Sequence, residues 1–496
     1  MTDRAFWHQI AASVSFPTMA IIDGQLMPAA SGETFASINP ATGEVLADVA
    51  ACDAHDIDRA VAAARRAFEA GAWRHQAPSA RKAVLLRLAD LLRAELPRLA
   101  VLESLDMGKL VRDAHGNDIA NAIDILQWHA EEADKIYDEI APLPAGNVGL
   151  VRRAPLGVVG AVVPWNFPFN MAVWKCIPAL VAGNSVVLKP AEQSPFTALR
   201  LGELALEAGL PAGVLNVVPG YGETAGQALG RHMDVDCLAF TGSTAIGKLF
   251  LRYAGESNMK QVWLECGGKS PAIVFPDCND LAYAADQIAS GIFYNQGQVC
   301  SASSRLYVHS SIARRFTDLI LERAERYRPG DPLDPASGLG AMVDAAHAAG
   351  VLRYIKAGKR EAELATGGRA ADVRGVGSFI EPTVFVNVPP SATIAREEIF
   401  GPVLAASTFE DEAEAIRLAN DSIYGLAASI FTDDLSRAHR VSESITAGVV
   451  AVNAVDPVNP SVPFGGFKQS GTGRDLSRHA IDKYTSLRTT WIRHRH

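Results

Sequence analysis

An α/β fold built on a doubly wound parallel sheet is what this sequence predicts, and two observations predict it. From residue 157 onward, short β-branched runs alternate with helical segments across short loops. The chain is also long, 496 residues with 48% hydrophobic content, enough to bury two or three cores. Strands that alternate with helices in this way place ligands at their carboxyl ends.

Before the alternation the chain is helical. HDIDRAVAAARRAFEAGAW (55 to 73) repeats Ile57, Val61, Ala64 and Phe68 at helical spacing. Residues 79 to 109 carry Leu85, Leu88, Leu92 and Leu96 on one stripe and read as a second helix, with more helix through Trp128. NVGLVRRAP (147 to 155) reads as a strand. GVVGAVVPW (157 to 165) is then a buried strand, MAVWKCIPALVAG a helix, NSVVLKP (184 to 190) a strand and FTALRLGELALEAGL (196 to 210) a helix. The cycle repeats over 213 to 220, 223 to 232, 236 to 243 and 245 to 255. The turn GSTAIG (242 to 247) lacks both the G-x-G-x-x-G spacing and the lysine of a P-loop, but a helix starting at Ser243 and Thr244 offers a pyrophosphate its N-terminus. A second alternation, from SPAIVF (270 to 275) to AGVVAVN (447 to 453), implies a second α/β domain. DKYTSLRTTWIR (482 to 493) reads as a strand. It and 147 to 155 either pair with another subunit or lie as ordinary edge strands.

Composition excludes several classes. The N-terminal stretch is broken by His, Gln and Ser, and the longest apolar run, 157 to 165, is half of the ~18 residues a membrane span needs, so a soluble cytoplasmic protein with no membrane partner is expected. Six cysteines (52, 176, 237, 266, 278, 300) form no CxxC pair, which points to free thiols in a reducing compartment. The net charge of −9 comes without a basic run, which argues against nucleic acid. Twelve scattered histidines form no HExxH pattern, and the terminal RHRH reads as a solvated tail, so no metal is expected.

One short stretch raises a chemical question. NQGQVC (295 to 300) is a polar, glycine-punctuated turn that ends on a cysteine. Cys300 is either a small buried hydrophobe or a thiolate nucleophile. Taken with PWNFP (164 to 168), LKPAEQSP (188 to 195), LECGGKSP (264 to 271), EEIFGPV (397 to 403) and PFGGFKQSG (463 to 471), it resembles, in order and spacing, the signature set of the NAD(P)-dependent aldehyde dehydrogenase superfamily. The resemblance covers nearly the whole chain. HMDVDCLAFTGST (232 to 244), AGESNMKQVWLECGGKSPAIVF (254 to 275) and SGTGRDLSRHAIDKYT (470 to 485) are similar, more narrowly, to bacterial enzymes for γ-glutamyl-γ-aminobutyraldehyde and 4-guanidinobutyraldehyde.

The resemblance implies an organisation and a set of roles. It implies an NAD-binding domain over 1–137 and 156–266, a catalytic domain over 267–465, and a small β oligomerisation arm from 138–155 and 478–496, giving a homodimer or homotetramer. Cys300 would form a thiohemiacetal and then a thioester, Asn166 and the Cys300 N–H would hold the oxyanion, and Glu265 would activate water. Lys189 and Glu192 would sit at the adenosine ribose, Ser243 near the pyrophosphate, and Glu398 and Phe400 at the nicotinamide ribose and ring, with Gly242 and Trp165 also binding the cofactor. Glu192 would repel a 2′-phosphate and so favours NAD, although Lys189 leaves NADP open. Lys175 and Asp475 match a proton relay. Phe167, Trp174 and Phe464 would line a substrate tunnel, with Asp118 and Asp456 as carboxylates at its mouth for a cationic aldehyde. Pro457, Val458 and Asn459 depart from the amino-aldehyde pattern, which leaves aliphatic and aromatic aldehydes open. Acyl transfer to coenzyme A is disfavoured by Glu265, a cysteine hydrolase lacks a histidine tied to Cys300 by any motif, and an idle NAD-binding scaffold would have no use for Cys300, Glu265 and Asn166 together.

Overall fold

The computed structural model describes residues 3 to 494 except 374 and 376, so the first two residues and the last two of the RHRH tail lie outside it. Two twisted sheets dominate. The first has eight strands, in the spatial order Gln25–Met27, Ala20–Ile22, Leu215–Val217, Ser185–Lys189, Val158–Val162, Cys237–Thr241, Gln261–Glu265 and Gly471–Thr472. Its middle five strands are parallel. Val158–Val162, Ser185–Lys189 and Cys237–Thr241 are buried along their whole length, as expected of strands covered on both faces, and that is why they read as continuous apolar runs.

The order of the strands fixes where a ligand can enter. From Val158–Val162 the chain steps outward to Ser185–Lys189 and Leu215–Val217, then returns to the other side of its starting strand at Cys237–Thr241. This reversal opens a crevice at the carboxyl ends of Val158–Val162 and Cys237–Thr241, beside residues 164 to 168 and 242 to 243. The second sheet repeats the plan with seven strands, Glu363–Thr366, Thr383–Val386, Val403–Phe409, Arg305–His309, Pro271–Val274, Ala427–Phe431 and Val449–Val452, of which only the first pairs antiparallel. Gly471–Thr472, far along the chain, closes the edge of the first sheet beside Leu264 and Glu265.

Helices follow the periodicity with one correction. Ala54–Ala70 is a helix with a reciprocal cap between Asp53 and Asp56 and is stopped by Gly71. The stretch from 79 to 109 is not one helix but two, Pro78–Ala94 and Leu96–Met107. Pro97 has no N–H to donate and its ring crowds the carbonyl of Arg93, so the first helix ends at Glu95. Leu85, Leu88 and Leu92 stay on the buried stripe, while Leu96 beyond the break is only half-buried.

The two flanking β-prone pieces pair with each other. Thr485–Arg493 lies antiparallel to Asn147–Pro155 in unbroken register from Thr485 opposite Pro155 to Arg493 opposite Asn147, and Glu139–Ala141 adds a third strand. The strand begins at Thr485 because 482 to 484 belong to a 3₁₀ turn, Arg478–Tyr484. Its outer edge has no neighbouring strand among the described residues, and Leu487, Trp491 and Ile492 on it are exposed. No helix among the described residues is long and apolar enough to cross a membrane.

Candidate active site

A cavity of about 760 Å³ opens at the crevice of the first sheet and reaches the loops of the second. Its wall includes every sequence-predicted site residue except Lys189, Glu192 and Lys175. Lys175 lies directly behind the wall, against Asp475, and Lys189 donates to Glu192 Oε2 at 3.0 Å at the end of its strand.

The loop carrying Cys300 is held in an unusual backbone. Asn295, Gln296 and Gly297 all have positive φ (49°, 56° and 70°), and a non-glycine residue such as Gln296 costs about 1–3 kcal/mol to keep there. Amide side chains brace the turn: Asn295 Nδ2 donates to the Asn166 carbonyl at 3.0 Å, Asn166 Nδ2 donates to the Gln298 carbonyl at 2.9 Å, and the Val343 N–H donates to Gln298 Oε1 at 3.0 Å. The loops 164 to 168 and 295 to 300 are thereby locked together, and the second N–H of Asn166 is left for another acceptor. Beneath them, a Cβ on Gly268 would stand 2.5 Å from the Cys300 carbonyl, so only glycine lets the backbones pass.

Acidity does not single out Cys300. Burial pushes its thiol up, and Asp456, Glu398 and Glu265 push in the same direction. The other five thiols are raised as well, with Cys266 and Cys237 at about 12, each chiefly by burial. What distinguishes Cys300 is access: it is half-buried and on the cavity wall, a wall it shares with only one other cysteine, the buried Cys266. A thiol so placed is protonated at rest and needs a base to become a nucleophile.

Glu265 ends its strand facing the cavity. Its backbone is pinned on both sides, with Gly242 N–H donating to its carbonyl at 3.0 Å and the Cys266 N–H donating to the Ser470 carbonyl at 2.7 Å. Its side chain is buried, and neither carboxylate oxygen has a hydrogen-bond partner among the described residues. Burial raises it to about 8 with help from Asp475, against Lys175, Lys483 and Arg474. Asp475, also buried, receives the ammoniums of both Lys175 and Lys483. Lys483 was not legible in the sequence, since nothing local marks it and its partner comes from the preceding loop.

On the other side of Cys300 the wall is suited to a dinucleotide. Ser243 caps helix Thr244–Gly255 by accepting from the Ile246 N–H, and Thr241 Oγ1 is buried without a hydrogen-bond partner among the described residues, close in sequence to that helix N-terminus. Glu398 Oε1 accepts from the Gly268 N–H at 3.1 Å, and a Cβ on Gly267 would stand 2.0 Å from Glu398 Oε2, so the glycine makes the cradle for that carboxylate. Burial lifts Glu398 to about 7. Trp165 packs edge-on against Phe400 (5.3 Å) and His347 (5.1 Å), and His347 Nε2 is 2.8 Å from the Phe400 carbonyl, an aromatic corner in which sequence reading missed His347.

The remaining wall is aromatic and acidic. Trp174 meets Phe464 edge-on at 5.4 Å, and Phe167 stacks on Tyr294 at 6.2 Å. Of the two carboxylates expected at a tunnel mouth, Asp118 is buried and Asp456 half-buried, and both lie on the cavity wall. Asp118 is held by the buried Lys109 and by the Tyr294 hydroxyl at 2.6 Å, so its charge is already answered. Asp456 accepts from Ser301 at 2.6 Å through Oδ2, while its Oδ1 atom is buried without a hydrogen-bond partner among the described residues. Tyr294 adjoins the NQGQVC turn and was within reach of a sequence reading; Lys109, 185 positions away from it, was not. No group of three or more His, Cys, Asp or Glu among the described residues could hold a metal ion.

Comparison with known proteins shows the family to which such a chain belongs. The model of the aldehyde dehydrogenase family matches residues 27–490. The chain is 51% identical over 488 residues to the NADP/NAD-dependent aldehyde dehydrogenase PuuC of Escherichia coli (strain K12), covering 98% of each protein. It superposes with a TM-score of 0.98 and 53% identity on the γ-glutamyl-γ-aminobutyraldehyde dehydrogenase of Burkholderia cenocepacia J2315, over 100% of both chains. TM-score and identity are the same, over 99% of this chain and 100% of the other, for the indole-3-acetaldehyde dehydrogenase AldA of P. syringae in complex with NAD+ and IAA. With its family model matched over nearly its full length and its fold shared throughout, the chain belongs to the aldehyde dehydrogenase family.

Proposed function

We propose that this protein oxidises an aldehyde to the free carboxylic acid with NAD, through a thioester on Cys300. One observation carries the proposal: a half-buried thiol, an unpartnered buried carboxylate and a spare amide N–H line one cavity beside a capped helix N-terminus. Cys300 Sγ, half-buried on the cavity wall, loses its proton to solvent water, the resulting thiolate bonds to the aldehyde carbon, and the C=O π electrons move to the oxygen as an oxyanion that the free N–H of Asn166 and the Cys300 N–H stabilise. NAD, when bound, supplies the oxidant by accepting the hydride from that carbon. The helix N-terminus at Ser243 would hold its pyrophosphate, Glu398 and the Trp165–Phe400 corner its nicotinamide end, and Glu192 and Lys189 its adenosine ribose. Glu265 then takes a proton from water as the water attacks the thioester carbon, and Cys300 leaves as the acid departs.

For the substrate we favour an aldehyde carrying an ammonium or guanidinium group, read by the free Oδ1 of Asp456. The aromatic wall of Phe167, Trp174, Tyr294 and Phe464 favours a second reading, an aryl aldehyde. Residues 1–137 and 156–266 form the NAD-binding domain and 267–465 the catalytic domain. The enzyme works in the cytoplasm as a homo-oligomer joined through the arm of 138–155 and 478–496. NADH or NADPH formation across amino-, guanidino-, aliphatic and aromatic aldehydes tests the reading. Turnover with NAD that ranks cationic aldehydes first, and that Asp456→Asn lowers selectively for them, is expected; an unchanged ranking in that variant would contradict the role of Asp456.

A further inference from the structure

Lys483 takes no part in the reaction as written, yet it is buried beside the group that does. Asp475 has both oxygens occupied, Oδ2 by Lys175 and Oδ1 by Lys483, and the three residues are 0%, 0% and 3% exposed. Two ammoniums on one carboxylate leave one positive charge in excess, which is costly away from water unless an anion answers it. The group at hand that becomes such an anion on ionising is Glu265, which lines the same cavity as Asp475 and whose two oxygens have no hydrogen-bond partner among the described residues.

Lys483 is also held in place from two directions. Trp263, two residues before Glu265 on the same strand, donates its Nε1–H to the Lys483 carbonyl at 3.0 Å, and the Cys237 thiol reaches the same oxygen. On the other side the chain runs through Tyr484 straight into the strand Thr485–Arg493.

We propose that Lys483 is a positioning residue for the general base: through Asp475, which it helps to hold, its ammonium favours ionisation of the Glu265 carboxyl against the burial that opposes it, and it ties that setting to the start of the terminal strand. This rests on the reading of Glu265 as the base. The groups that face Glu265 are Asp475, which disfavours its charge, Lys175, Lys483 and Arg474, which favour it, and Cys300, Cys266 and Tyr484, whose own ionisation it opposes. Burial works to raise Asp475, and the two lysines together hold it below the usual carboxylate range. Removing the charge of Lys483 therefore moves the protonation of Glu265 to higher pH.

The test is the pH dependence of kcat for the wild-type enzyme and for Lys483→Met, Lys483→Gln and Lys483→Arg, with thermal melting and NAD affinity measured alongside. The neutral variants are expected to displace the rising limb by about one pH unit toward alkali, with NAD affinity unchanged. Lys483→Arg is expected to hold the limb at or below its wild-type position. A folded neutral variant whose limb stays at the wild-type position, whatever its melting temperature, would overturn the proposal. If neither neutral variant folds, Lys483→Arg decides, since an alkaline displacement there contradicts a role for the charge. A wild-type protein that reduces neither NAD nor NADP refutes the dehydrogenase reading itself, whereas an active wild type with unmoved variants refutes only this inference.

Discussion

At the scale of single residues, the site is an arrangement of unanswered groups. Glu265 at about 8 is mostly protonated at neutral pH, and only its ionised form takes a proton from water, so kcat rises with pH through that value. The expected profile climbs from neutral to alkaline pH and levels off. Glu265→Gln should flatten it and lower kcat by about 10²–10⁴-fold, and a pH–rate series on the two proteins checks both. Asn166 is answered on one N–H by the Gln298 carbonyl and left open on the other. Asn166→Ala is expected to cost about 10²–10³-fold in kcat by removing an oxyanion donor, and also to loosen the 295 to 300 turn that its amide braces. Steady-state kinetics beside a melting curve separates the two effects.

At the scale of elements, chemistry is positioned by close backbone approaches at strand ends. Gly267 leaves room for Glu398 where a Cβ would overlap the carboxylate, so Gly267→Ala should displace that carboxylate and raise the KM for NAD by about tenfold or more, with a smaller change in kcat. Fluorescence titration with NADH measures the same loss directly. These elements were legible to different degrees. The strands of the first sheet could be read because burial on both faces demands unbroken apolar runs, and the helix at 54 to 70 because its apolar spacing and its caps agree. The break at Glu95 was missed because the leucine stripe continues across it while Pro97 removes one hydrogen bond. Gly471–Thr472 was missed because two residues give no period to read, and their place is set by Leu264 and Glu265.

At the scale of the molecule, loops from two α/β sheets line one cavity, and a separate three-stranded sheet has no strand beyond Thr485–Arg493 among the described residues. The order of motifs along the chain made Cys300, Glu265 and Asn166 legible together. Lys483, Lys109 and His347 were not, because each acts on a partner that only the fold brings near. Exposed Leu487, Trp491 and Ile492 on the strand Thr485–Arg493 are the kind of edge another chain covers. Light scattering on the full protein is expected to give a dimer or tetramer, and a chain ending at Tyr484 a smaller species with reduced activity; a monomeric full-length protein would remove the oligomerisation role. An acyl group carried by Cys300 is the intermediate through which the proposed oxidation must pass. Its most direct test is intact-protein and peptide mass spectrometry of Glu265→Gln after mixing with an aldehyde and NAD. The expected result is an added acyl mass on Cys300, absent without NAD; NADH formation with no adduct, or with the adduct on Cys266, would contradict it.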